Sequence, residues 1–203
     1  MKGQVDWNDR MKEKPARGND SNKKMSSPGW KDREYIGMFA GYGGHIPVAD
    51  YGERFTPSHL FSWALGIYAL NLAGISPELH FRYTMMKRDH IQFRYDSTIV
   101  LMQFYPGLVY RHHFKMPWNT LTLYGRIWDG MSRIEYRSRN PYFMFLKERI
   151  VEYVNIFGLS AGCYYDIWQG ILIGADISYS ITFTAGKPLQ SVAVTLNAGC
   201  RIL

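Results

Sequence analysis

From residue 35 onward, apolar and polar residues alternate with a period of two. The alternation restarts after each cluster of Gly, Pro, Asn, Asp or Ser. Period two places successive side chains on opposite faces of a β-strand. Eight strands are predicted, at about 35–46, 59–71, 76–87, 95–113, 120–136, 151–167, 171–184 and 191–203. The last two are clearest. Residues 171–184 carry Ile171, Ile173, Ala175, Ile177, Tyr179, Ile181 and Phe183 on one face. The other face holds Leu172, Gly174, Asp176, Ser178, Ser180, Thr182 and Thr184. The connections also alternate: long and polar at 47–58, 88–94, 137–150 and 185–190, short at 72–75, 114–119 and 168–170. Long loops at one end and tight turns at the other predict an all-β, eight-stranded antiparallel up-and-down barrel. Residues 1–33 show no alternation. They are rich in Lys, Asp, Asn, Ser and Gly and interrupted by Pro15 and Pro28, which predicts a disordered polar tail or linker ahead of a barrel domain at 34–203.

Alternation alone does not say which face is outside; the polar residues decide it. After residue 33 the only lysines are Lys87, Lys115, Lys147 and Lys187, all in predicted turns or at strand ends. A water-facing barrel would scatter Lys and Glu along its strands. A lipid-facing one excludes them, because a Lys at the bilayer midplane costs roughly 2–4 kcal/mol. The apolar faces are therefore expected to meet lipid, and the Ser/Thr/Gly/Asn faces to line a narrow lumen. Cys163 and Cys200 fall on the apolar parity and are expected outside, unbridged. Aromatics near strand ends, among them Tyr35, Phe55, Tyr105, Tyr110, Tyr136, Tyr165 and Trp168, are expected to form interfacial girdles.

Charges on the inward parity are the first candidate site: Glu78, His80, Arg82, Arg126, Asp166, Asp176 and Arg201. In a lumen this narrow they are expected to pair, since an unpaired buried ion is very costly. Paired, they would form a plug; gated, a small ion path. The second candidate is the 137–150 loop, basic and aromatic through Arg137, Arg139, Tyr142, Phe143, Lys147 and Arg149.

Composition adds mainly exclusions. The net charge of +7 is concentrated in residues 1–33, which hold nine Lys/Arg against five Asp/Glu. No recognition helix or basic stripe follows, so nucleic-acid binding is not expected. No Cys/His cluster suggests a metal, and no cofactor motif is present. His112 and His113 are adjacent and point to opposite faces of a strand, so they cannot share one ion. Ser58-His59 near Asp50 and Glu53 is the only local grouping with hydrolytic chemistry, and it has no motif around it. No catalytic residues are expected.

The Gly/aromatic first strand (GMFAGYGG, 37–44), the eight alternating segments and the final strand SVAVTLNAGCRIL together resemble the small outer-membrane barrels of the OmpA, OmpX and OmpW type. The resemblance covers 35–203. It implies a porin-like transmembrane protein of a Gram-negative cell envelope, located in the outer membrane after removal of a signal that residues 1–10 do not supply. Its partners would be outer-membrane lipids and lipopolysaccharide, with a host or cell-surface ligand reached through the long loops. The expected role is structural or surface interaction. The alternatives are a narrow pore for ions or small apolar molecules, and a soluble lipocalin-like barrel with its faces inverted.

Overall fold

The computed structural model describes residues 35–202 apart from 53–54, 71, 88–95, 118, 140–146 and 169. Eight strands follow one another: β1 (Ile36–Val48), β2 (Ser58–Ile67), β3 (Ile75–Lys87), β4 (Asp96–Lys115), β5 (Thr120–Arg139), β6 (Lys147–Trp168), β7 (Ile171–Thr182) and β8 (Leu189–Ile202). Each pairs antiparallel with its neighbours, and β8 pairs back onto β1 from Ile36↔Ile202 to Val48↔Gln190, closing the barrel. Closure leaves no free edge, the condition for a sheet to cross lipid.

Two boundaries differ from expectation for identifiable reasons. β2 stops at Ile67 rather than 71. The Tyr68 N–H donates to Tyr35 O at 2.9 Å, and the Tyr68 ring turns into the lumen, where it is 2% exposed. The chain then reverses at Leu72–Ile75 through Ala73 (φ 53°) and Gly74 (φ 88°), with hydrogen bonds of 2.9 and 3.0 Å in both directions. Two consecutive left-handed residues make the tight hairpin turn that matches strand twist.

At the other end, the described residues of the expected loop 137–150 are strand. β5 and β6 stay paired as far as Arg139↔Lys147. Apolar alternation stops there in the sequence while the backbone ladder continues. Arg137, Arg139, Lys147 and Arg149 thus belong to a projecting hairpin, and Tyr142 and Phe143 lie outside the described residues.

The two faces are those of a membrane barrel. Outward residues are large and apolar: Phe61, Leu108, Ile127, Leu159, Ile177 and Leu196 are each at least 50% exposed. A belt of this extent around a whole molecule exceeds the patches a soluble protein tolerates. Buried inward positions carry Thr84, Gln103, Arg126, Ser160, Asp176 and Thr195. The inverted, soluble arrangement does not occur. Cys163 and Cys200 are free thiols, the second exposed on the outer face.

Within the apolar belt, one outward carboxylate stands out among the described residues. Asp129 on β5 lies in a hollow lined by Pro77, Leu79, Pro106, Leu108, Ile127 and Phe157. Here the β4–β5 register runs to Phe104↔Met131 and resumes at Gly107↔Trp128, skipping Tyr105 and Pro106. Proline has no N–H to give the ladder.

The aromatic girdle is only partly as expected. Tyr110, Tyr165 and Trp168 face outward near the turn end. Tyr35, Phe55 and Tyr105 do not; they are 8, 9 and 0% exposed inside the barrel. Tyr136 also packs inward, against the upper apolar cluster. Nearness to a strand end says nothing about parity, and these four have inward parity.

Candidate functional site

The lumen is built in layers. Nearest the short turns, Tyr35, Phe39, Ala64, Tyr68, Val109, Tyr124, Tyr164 and Leu172 form an aromatic cluster. At the long-loop end, Phe55, Met86, Ile99, Leu101, Ile134 and Leu189 form an aliphatic cap. The charges lie mainly between and beside these. Apolar clusters therefore flank the charged middle of the lumen, and at the turn end charges share the space with the aromatic rings.

Glycine makes the aromatic layers fit. A Cβ at Gly158 would collide with the Trp128 indole, and one at Gly162 would meet the Tyr124 ring. The missing side chains on β6 let these rings lie over the strand next to their own.

The central charge cluster is centred on Arg126, whose side chain is 1% exposed. Its Nε donates to Glu78 Oε2 at 2.6 Å, and its terminal nitrogens donate to Ser160 Oγ at 3.2 Å and Tyr164 Oη at 3.4 Å. Asp176 Oδ2 is 3.6 Å from the same guanidinium. Glu78 also accepts from His80 Nε2 at 2.7 Å and from the Tyr68 hydroxyl. Asp176 accepts from Thr195 at 2.7 Å, Tyr124 at 3.1 Å and Asn197 at 3.4 Å. Every ionic oxygen here has a donor, the condition under which buried charge is tolerated.

Nearer the turns, Arg201 and Asp166 pair at 3.5 Å. Arg111 donates to Tyr35 Oη at 3.0 Å and Ser76 Oγ at 3.2 Å, with its guanidinium carbon 3.6 Å from the Tyr68 ring centroid. A cation that close to an aromatic face is held by the ring quadrupole.

Six of the seven predicted lumen charges are thus linked, in one group of four and one pair. Arg82 is the exception. It is 3% exposed, donates through one terminal nitrogen to Ser178 Oγ at 2.9 Å, and lies 5.0 Å from the Trp128 ring centroid and 5.7 Å from that of Tyr105. Among the described residues no carboxylate pairs with it. The sequence reading also missed Arg111, whose inward parity on β4 is visible from Gln103 and Val109 but was masked by the adjacent histidines. His45, Gln103 and Tyr105 were likewise not anticipated in the lumen.

The other chemical candidates come apart. Ser58 Oγ bonds Thr84 Oγ1 inside at 2.9 Å, while His59 Nδ1 meets the Tyr42 hydroxyl at 2.6 Å on the outer face. Asp50 is engaged by Lys187, and Glu53 lies outside the described residues. His45 is buried in the lumen. Among the described residues no group of three or more His, Cys, Asp or Glu could hold a metal. At the rim, Arg133 and Arg137 flank Glu135 at 3.1 and 2.6 Å, and Arg137 keeps half of its side chain exposed.

No protein-family model matches the chain, and no curated protein matches it in sequence. Solved structures do share its architecture. Neisserial surface protein A superimposes with a TM-score of 0.56 at 11% identity, over 82% of this chain and 97% of that one. Ail, the attachment invasion locus protein of Yersinia pestis, crystallised with the heparin analogue sucrose octasulfate, gives 0.52 at 15% identity, over 84% and 100%. At such identities the likeness is one of fold. With its apolar belt and polar lumen, the chain has the eight-stranded fold of bacterial outer-membrane β-barrels.

Proposed function

We propose that this protein is a non-catalytic barrel of the bacterial outer membrane that works at its rim, where the projecting β5–β6 hairpin engages anionic groups. One observation carries the reading. Backbone register sets Arg137 opposite Arg149 and Arg139 opposite Lys147. Like charges directly across a ladder destabilise it, and an anion brought between them relieves the repulsion. Phosphates of lipopolysaccharide and sulfated or acidic groups of another cell's surface share that chemistry. Ail, of the same fold, was crystallised with a heparin analogue, which supports an anionic ligand for a barrel of this kind.

The test is retention of the refolded protein on immobilised heparin in detergent, compared with a variant in which Arg137, Arg139, Lys147 and Arg149 are all Gln. Both carry the basic residues 1–33, so the difference isolates the hairpin. The variant is expected to elute at clearly lower salt. Identical elution would sink the proposal. The runner-up, a narrow pore, draws on the polar middle of the lumen. It predicts discrete single-channel steps in planar bilayers, whereas the apolar clusters at both ends argue for a silent membrane.

A further inference from the structure

One level of the lumen lies between the aliphatic cap and the Arg126 cluster, and its chemistry is unfinished. Arg82, Gln103 and Ser132 occupy a single rung across β3, β4 and β5. Tyr105 and Trp128, stacked at 5.0 Å, lie beside the Arg82 guanidinium. Across the lumen, Ser178 receives Arg82, and the next residues on that rung are Ala193 and His45.

These residues share a property. Arg82 Nε, Gln103 Nε2, Tyr105 Oη, Trp128 Nε1, Ser132 Oγ and His45 Nε2 are all buried, and none has a hydrogen-bond partner. Buried polar groups are ordinarily paired, so several unpaired at one level call for an explanation. Three of the six atoms are obligate donors: the arginine and indole N–H groups and the amide NH2. Two are hydroxyls that can donate. No atom of the set is an obligate acceptor, so donors predominate.

The charge has the same sign of imbalance. Glu78 is committed to Arg126, His80 and Tyr68. Asp176, one inward position below Ser178 on β7, is committed to Arg126, Thr195, Tyr124 and Asn197. Among the described residues, Arg82 has a serine oxygen and no carboxylate as partner. Tyr105 and Trp128, stacked on each other, both lie on one side of it, and its N–H groups lie in the guanidinium plane, the geometry in which arginine holds an anion.

We propose that this level of the lumen is a binding site for a small inorganic monovalent anion of halide or nitrate size, held by Arg82 with Gln103, Ser132 and the Trp128 indole N–H. The anion supplies the missing negative charge and accepts from several donors at once. The site is independent of the rim: it would stand if the hairpin bound nothing.

Iodide is the probe, because it quenches indole fluorescence on contact and Trp128 is only 2% exposed. The full chain is refolded into detergent micelles with increasing sodium iodide at constant ionic strength, and Trp128→Phe supplies the emission of the other tryptophans. The expected result is saturable quenching of the Trp128 component by iodide, absent with caesium. Arg82→Met should weaken the apparent affinity at least tenfold. If that variant does not refold, Gln103→Leu is read the same way, with a several-fold loss expected. Equal quenching by iodide and neutral acrylamide would mean a chamber of water alone and overturn the proposal. So would iodide quenching that is absent, or that is unchanged in the variants.

Discussion

The Arg126 and Arg82 levels of the lumen are neighbours built from the same residue types, yet they solve the burial of a guanidinium differently. Arg126 has two carboxylates, a serine and a tyrosine around it. Arg82 has one serine and two aromatic faces. The first level is satisfied by its own residues. The second is complete only with something added. Burial alone therefore does not distinguish a fastening from a site; the partner count of each charged atom does.

Mutations should separate the two levels, with urea unfolding in lipid vesicles as the common measurement. The largest effect is expected from Arg126→Met. It leaves Glu78 and Asp176 buried together without their cation, and breaking a buried pair costs about 3–5 kcal/mol. A loss under 1 kcal/mol would mean the central cluster is not a plug. Next comes Gly158→Val, which drives a side chain into the Trp128 ring on which Arg82 stacks. Overpacking of this kind costs about 1–3 kcal/mol, and the Trp128 fluorescence environment should change with it. Arg82→Met, measured without halide, should cost under about 1 kcal/mol or stabilise, because no ion pair is broken and a buried charge is removed. A loss equal to that of Arg126→Met would erase the distinction between the levels. The smallest effect is expected at the rim. Arg137→Ala loses a half-exposed ion pair with Glu135, and such pairs contribute about 0–1 kcal/mol.

The strands, their order and the sidedness of the wall were legible because lipid and lumen impose opposite demands on successive residues. Lys87, Lys115, Lys147 and Lys187 mark strand ends or turns as expected. Legibility failed where that contrast lapses. Arg137–Arg139 read as loop because apolar alternation stops there, whereas the backbone ladder runs on to Arg139↔Lys147. Tyr35, Phe55 and Tyr105 read as girdle because ring chemistry suits an interface and a lumen equally. The lumen charges were identifiable by parity, but their grouping was not. Pairing across the barrel depends on the stagger between strands, which brings Arg82 to Ser178, 96 residues along the chain, and no local pattern encodes it.

The proline interruption on β4 has a consequence for how the wall breathes. Where Tyr105 and Pro106 drop out of the β4–β5 ladder, neighbouring amides are held by fewer bonds than elsewhere in the cylinder. Local openings should concentrate there, since protection from deuterium follows the cost of local opening. Tyr105 also lines the Arg82 chamber, so an isotope-exchange map should show a fast spot halfway up an otherwise slow wall. It would act as a seam through which the interior registers the composition of its surroundings.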